Sequence, residues 1–313
     1  MKFVCFLLLL FVAGCKETNL DLNIPYSGDK LVLWGKLKAG APARIQVTKT
    51  FNPVGAIPED VSVADAQVLL LINDKEYIEL FSAPNEKGVY ISDHVIQPGA
   101  TYIVKVSAPM LPTAESAPVF IPSDVPDTKP VRTRNIPGEI NHQTPQDLVD
   151  LYFPKKQTEG EKYFTLTFLS YYEKDTMSAN PYGATDNISA KEEDCHTWAY
   201  EKISTYHSEA AGITFNRLAS VFLMKSTCLP DQNTPIKFYI ETGKGSIDNP
   251  QWAAKVTMRI EVVTKEAFDY AKIEYDQPEG VDHLVLPPQR ALTNIKNGHG
   301  IIFASNEKVI EIR

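Results

Sequence analysis

Four side chains in this sequence carry a thiol: Cys5, Cys15, Cys195 and Cys228. Cys195 is followed directly by His196, with His207 further on, and is preceded by the acidic run Glu192-Glu193-Asp194. A thiol becomes a nucleophile only with a base or cation within hydrogen-bond reach, and adjacency in sequence does not supply that geometry. Zinc sites ask for Cys-x-x-Cys or His-x-x-x-His spacing, which the chain lacks. The carboxylates at Glu192-Glu193-Asp194, and Asp282 beside His283, have the chemistry for acid–base work or calcium binding, but each reads first as a solvated loop face. Gly243-Lys244-Gly245-Ser246 and Gly298-His299-Gly300 lack the spacing and strand–helix context of phosphate-cradling loops, and no serine-hydrolase or zinc-protease motif occurs. The expectation is a noncatalytic protein with no metal and no cofactor. A β-rich hydrolase stays open, because glycosidase carboxylates leave no local motif.

Cys15 has a different chemistry. Lys2 precedes an apolar run from Phe3 to Val12, too short for the roughly 20 residues of a membrane-spanning helix, so residues 1–14 read as a signal peptide. Val12-Ala13-Gly14-Cys15 resembles the lipobox of bacterial lipoproteins. That resemblance implies that the thiol forms a diacylglyceryl thioether and that Cys15 becomes the acylated, palmitate-bearing first residue of the mature chain. The alternative is an ordinary secretory signal with a cysteine near its cleavage site. One acyl chain, at about 0.8 kcal/mol per buried CH₂, binds a membrane marginally, whereas several on one residue hold a protein there stably. No later run approaches 18 apolar residues, so the chain reads as anchored to the lipid bilayer and not spanning it. Lys16 after the cysteine favours the outer membrane, on its periplasmic face or at the cell surface.

Such a compartment is oxidising. With Cys5 removed and Cys15 acylated, Cys195 and Cys228 are left to form a disulfide. The competing readings are two free buried thiols, or a metal or nucleophile site with His196 and His207. A bridge would close a loop of about 34 residues, worth roughly 3 to 4 kcal/mol, and would tie the weakly patterned connection from Met177 to Ala211 onto the sheet.

Composition narrows the partners. The formal net charge is −8, or −9 without Lys2, and clustered Lys and Arg are missing, so nucleic acid is disfavoured. The length left after residue 14 exceeds what one core usually serves, which predicts two domains. With 22 prolines and few long helical patterns, both are expected to be β.

Residues 15–28 read as a lipidated tether. Strand-like alternation begins at Leu31–Leu37 and Arg44–Thr50 and recurs at Ala66–Ile72, Tyr77–Phe81, Val89–Ser92 and Thr101–Ala108. The fold class expected is all-β, with an immunoglobulin- or transthyretin-like sandwich over 29–121 and Trp34 in its core. Closely spaced prolines make 122–137 a linker, with an edge strand at Ala117–Ile121. A larger β-sandwich domain over 138–313 follows, with long strands at Lys162–Tyr172, Ile213–Met224, Pro235–Thr242 and Trp252–Val263. Its one short helix starts after Thr264 as N-cap, with Phe268, Ala271 and Tyr275 as the buried stripe. Two terminal strands, Gly300–Ala304 and Lys308–Ile312, close the chain.

The lipobox, Gly88-Val89-Tyr90, Pro98-Gly99-Ala100-Thr101-Tyr102, the Thr264–Tyr270 helix and Asn294-Ile295-Lys296-Asn297-Gly298-His299-Gly300-Ile301, in this order and spacing, resemble the DUF4249 family of Bacteroidota lipoproteins. The resemblance implies no reaction and transfers no ligand-binding residue. It implies an accessory lipoprotein accompanying a TonB-dependent outer-membrane receptor in ligand capture or transfer; a structural or adhesive envelope protein is the alternative. Lys16-Glu17 resembles the charged surface-export signals of such lipoproteins. Asp175-Thr176-Met177 resembles their O-glycosylation sequon, which makes Thr176 a candidate site.

Overall fold

The computed structural model describes residues 26, 28–136, 146–154, 160–172, 175–178, 181–182, 195–208, 213–244, 251–275 and 292–313. The chain is mainly β. The first eight strands are β1 (Leu31–Lys38), β2 (Pro42–Lys49), β3 (Gln67–Ile72), β4 (Glu76–Ser82), β5 (Val89–Val95), β6 (Thr101–Ala108), β7 (Leu111–Ser116) and β8 (Val119–Phe120). Then come β9 (Lys129–Ile136), β10 (Gln146–Tyr152), β11 (Tyr163–Tyr172), β12 (Asp175–Ser178), β13 (Pro181–Tyr182), β14 (His196–Ser208) and β15 (Ile213–Lys225). A 3₁₀ turn at Ser226–Cys228 leads to β16 (Ile236–Glu241), β17 (Gly243–Lys244), β18 (Gln251–Trp252) and β19 (Lys255–Val263). The helix α1 (Lys265–Tyr275), β20 (Ile295–Lys296) and β21 (His299–Ile312) complete the order.

The first core lies between two layers. Leu31, Leu33 and Leu37 of β1, Ile45 and Val47 of β2 and Tyr90 of β5 face Val68, Leu70, Tyr102, Val104, Val106 and Ala114 from β3, β6 and β7. The alternation in β1 and β2 is what a half-buried strand requires. Strand β4 pairs with β5 only through Phe81 and Ser82 but with β3 along Glu76–Leu80, so it passes from one layer to the other. Tyr90 fastens the corner: its hydroxyl donates to the Val63 carbonyl and accepts from the Ala66 amide, both at 2.9 Å.

The second core has the same logic. Phe164, Leu166 and Phe168 of β11, Phe222 and Met224 of β15, and Val256, Met258, Ile260 and Val262 of β19 face Val149, Leu151, Ile236, Phe238 and Ile240 from β10 and β16. The opposing sheet runs β13-β16-β10-β9. The segment 122–137, expected as a linker, carries β9, which begins Lys129-Pro130. Proline is tolerated there because β9 is an edge strand and Pro130 has no ladder bond to lose on its open side.

One strand serves both cores. The first half of β21 pairs in parallel with β1 from Val32↔His299 to Lys38↔Ser305, and its second half pairs antiparallel with β19 from Val263↔Ser305 to Val256↔Ile312. Ile302 and Ala304 accordingly pack in the first core and Ile312 in the second. The sequence reading split this strand in two at the polar run Ser305–Glu307. The run stays extended because its backbone is paired with β1 and β19 and two of its side chains have partners: Asn306 donates to the Pro122 and Ser123 carbonyls, and Glu307 pairs with Lys38 at 2.6 Å, while the buried Ser305 hydroxyl makes no hydrogen bond.

Helix α1 covers the outer face of this junction. Phe268 and Ala271 are buried against Tyr163, Val221, Leu223 and Val263, as the spacing predicted; the Tyr275 side chain lies outside the described residues. Thr264 starts the helix through its carbonyl, which accepts from the Ala267 and Phe268 amides, while its buried hydroxyl makes no hydrogen bond. Trp34 is not in the core. Leu33 and Leu37 take the inward positions of β1, so Trp34 points outward, 39% exposed, edge-on to Tyr270 and Phe303 with centroids at 5.0 and 5.9 Å. It therefore seats the helix on the first sandwich.

Candidate ligand-binding cleft

Residues 122–128 run along the second sandwich, held by two outward side chains of β21: Asn306, already described, and Lys308, whose Nζ is 2.7 Å from Asp127 Oδ1. Val125 packs against the second core from this segment. Between it and the ends of β10 and β11 opens a cleft of about 230 Å³, walled by Val125, Pro126, Phe153, Pro154, Phe164 and Leu229. Asp124, Lys162 and Ser226 border it. An apolar cavity of about 150 Å³ suffices for a benzene ring, so this one accepts a single ring or a short branched alkyl group.

Beyond Asp124 and Lys162 a second depression, about 430 Å³, lies between Pro118–Phe120 and the start of α1. Its polar centre is Glu161, which accepts from the Tyr163 hydroxyl at 2.5 Å and the Thr227 hydroxyl at 3.0 Å. The Tyr163 hydrogen bond holds the Glu161 carboxyl below the usual carboxylate range, while burial, reinforced by Glu161, pushes the Tyr163 phenol up. At neutral pH the pair is a fixed carboxylate and a fixed hydroxyl. Each group is moved away from the range where proton transfer is efficient. The arrangement suits holding an apolar group with a polar edge.

Two charged clusters escaped the sequence reading. Arg132 of β9 lies against Asp147 of β10, with Nε–Oδ2 at 2.7 Å and both side chains buried, and the Thr242 hydroxyl adds a bond of 2.8 Å to the same oxygen. Glu261 of β19 is 2.6 Å from Lys36 Nζ and 3.2 Å from Arg259 Nε. The signal available was a charge inside an otherwise apolar strand, as in Leu-Val-Leu-Trp-Gly-Lys36 and Arg259-Ile-Glu261-Val-Val. Neither cluster opens on a cavity that the cleft shares. Both act on the fold.

Of the residues singled out from sequence, Cys195 and Cys228 are joined in a disulfide with Cα atoms 5.7 Å apart. The bridge differs from expectation in what it ties. His196–Ser208 is a strand, not a loop, and pairs with β15 from His196↔Met224 to Ser208↔Ile213, so the bridge closes the open end of this long hairpin. The polar composition of β14 hid its pairing. His196 leans on the Phe222 ring at 5.4 Å, and burial lowers its pKa. His207 falls in β14 and Thr176 in β12, opposite Tyr171; their side chains, like Cys15, Glu192-Glu193-Asp194 and Asp282-His283, lie outside the described residues. Among the described residues no group of three or more His, Cys, Asp or Glu converges as a metal site, and no helix is long and apolar enough to cross a membrane.

Residues 17–311 match the profile of a family described as "Domain of unknown function (DUF4249)". No curated protein matches the chain. A solved structure it is similar to is a DUF4785 family protein from Legionella pneumophila, at 8% identity and a TM-score of 0.22, with 72% of this chain and 48% of that chain covered. The chain thus spans about half the length of that protein.

Proposed function

Because the chain belongs to the DUF4249 family, whose name assigns no activity, we propose its function from anchor and cleft together. It is a noncatalytic cell-envelope lipoprotein, anchored in the outer membrane through acylated Cys15, that assists a TonB-dependent receptor in capturing or passing on a ligand. The observation that carries this reading is the apolar cleft at Phe153 and Phe164, bordered by Lys162 and Asp124. It lies beside Asn306, seven residues along β21 from the end where the tether arrives, or roughly 23 Å at about 3.3 Å per residue. A ring-sized apolar site with charged edges, displayed away from the anchor, suits brief retention and hand-over of a small ligand better than turnover.

The test is purification from detergent-solubilised outer membranes. Recovery with a large β-barrel receptor in stoichiometric amount is expected from wild type, and Cys15→Ala is expected to leave the membrane fraction. Recovery alone, or with envelope polymers, overturns the receptor role in favour of a structural or adhesive one. An unmodified residue other than Cys15 at the mature N-terminus overturns the anchor.

A further inference from the structure

At one end of the first sandwich, large apolar side chains are exposed among the described residues. Among the described residues twelve large apolar side chains are exposed, and five of them, Tyr26, Phe51, Val54, Ile57 and Met110, belong to this end. Strand pairing puts them together. Lys30, just before β1, accepts from the Thr50 amide just after β2, and Lys49 donates to Val61, so the loop 51–60 leaves from the place where the chain enters. The turn between β6 and β7 meets the same place: Tyr26, Asp29, Lys49, Ser62 and Met110 line one depression. Ile57 is 79% exposed, Val54 56%, and Met110 fully.

Met110 carries a second, independent observation. It follows Pro109 in a tight turn at φ +61°, a position that glycine or asparagine normally fills and that is unfavourable for a bulky side chain. Among the described residues the Met110 side chain packs in no core that would offset that strain. Strain held at an exposed apolar tip points to a use outside the molecule. Around the tip Asp29 pairs with Lys49 at 2.9 Å and Asp60 with Lys87 at 3.0 Å, and Lys30, Glu59 and Asp65 lie beside them. The end therefore offers apolar side chains within a rim where acidic and basic groups nearly balance and no basic cluster calls for a polyanion, which suits a largely zwitterionic surface.

The length of chain before this end names the partner. From Cys15 to Tyr26 are eleven residues, which reach at most about 40 Å fully extended. Strand β21 alone, fourteen residues from His299 at this end to Ile312 in the second sandwich, measures about 46 Å. An anchored chain therefore keeps this end within about 40 Å of the lipid, whereas the far end of β21 lies about 46 Å further along the strand and is free to stand off.

Resting on the anchored reading above, we propose that this end of the first sandwich sits in the headgroup layer of the membrane, with Met110, Val54 and Ile57 inserted among the lipids. The contact orients the protein, so that the second sandwich and its cleft stand off the bilayer.

The experiment uses the chain from Lys16 to Arg313, held by an N-terminal histidine tag on vesicles of phosphatidylethanolamine and phosphatidylglycerol containing a nickel-chelating lipid. Cys195 and Cys228 are joined, so a single introduced cysteine takes an environment-sensitive fluorophore at Met110→Cys, Ile57→Cys or, at the opposite end of the sandwich, Asp74→Cys. A blue shift on vesicles is expected at 110 and 57 and not at 74. Water-like emission at all three overturns the proposal, as does an equal shift at 74. A shift at 110 without vesicles that grows with protein concentration also overturns it, because a second copy then covers the tip. Met110→Gly relieves the backbone while removing the wedge: it is expected to raise the thermal midpoint yet diminish the vesicle shift read at 57. Failure of the anchored reading shows separately, as unacylated Cys15 in native protein, and does not alter these fluorescence results.

Discussion

Lys36 and Glu261, on the two strands that flank β21, meet with Nζ and Oε2 2.6 Å apart. Lys36 belongs to the first sandwich and Glu261 to the second, and the Glu261 side chain is 3% exposed. Burying a carboxylate this deeply is costly unless cations face it, and Lys36 and Arg259 stand beside it. Glu261→Ala is expected to destabilise the protein by about 3 kcal/mol or more, since it leaves two cations facing each other. Lys36→Ala is expected to cost less, because Arg259 remains and the lysine is about one-third exposed. Urea unfolding of the two single variants and the double variant measures the coupling. A value near zero would show that the pair does not join the sandwiches.

Gly300 tests the joint from the backbone side. It is the second residue of β21, at φ +94°, and a Cβ there would lie 2.0 Å from the Leu33 carbonyl oxygen. Gly300→Ala therefore has to displace β21 from β1, with an expected loss of about 3 kcal/mol or more. Circular dichroism thermal melts read it, and an unchanged midpoint would mean that the first half of β21 contributes little.

The buried pair in the second sandwich makes a sharper contrast. Asp147→Ala strands Arg132, 5% exposed, without its carboxylate and is expected to cost about 3 to 5 kcal/mol. Replacing both residues by leucine is expected to recover much of that loss, because two apolar side chains need no partner. If the double variant is as unstable as the single one, the pair is needed for more than neutralising a buried charge.

How much of this was legible differs by element. Strands with clean alternation, Arg44–Thr50 and Lys162–Tyr172, lie within two residues of β2 and β11, since period-two patterning is written locally. Helix α1 was legible from Thr264, Phe268 and Ala271 for the same reason. What could not be read were features decided by partners distant in sequence. Trp34 is apolar enough for a core and faces outward because Leu33 and Leu37 fix the register. Ser305-Asn306-Glu307 look like a turn and stay extended because they pair with β19 and, at Ser305, with β1, while Lys38 and the 122–123 carbonyls satisfy Glu307 and Asn306. The cleft depends on where 122–128 comes to rest, which no local pattern encodes.

The disulfide carries its own prediction. Separated by 33 positions, Cys195 and Cys228 are expected to contribute roughly 3 to 4 kcal/mol by restricting the unfolded chain. Cys195→Ser should lower the unfolding midpoint of the second core. Thiol labelling of denatured, unreduced protein checks the bridge itself: two reactive thiols in protein from the envelope would contradict it.

His196, beside that bridge, gives the second sandwich a pH dependence of defined sign. Its ring is half-buried against Phe222, and burial lowers its pKa from 6.5, because the charged form loses water it cannot replace. The folded state thus favours neutral imidazole. As pH falls below about 6.5 the unfolded chain takes up the proton first, and stability drops until pH passes the lowered value of the folded state, below which this histidine adds no further change. Glu161 acts in a lower window: its depressed carboxyl stabilises the fold above the ordinary glutamate pKa, and that contribution disappears as pH falls through the folded value. His196→Leu is therefore expected to flatten the stability profile between about pH 7 and 5 while leaving the acid limb, and Glu161→Gln to do the reverse. Urea midpoints of wild type and both variants from about pH 7 down through the acid limb below the ordinary glutamate pKa decide it, and a profile unchanged by His196→Leu would place the neutral-range titration on another group.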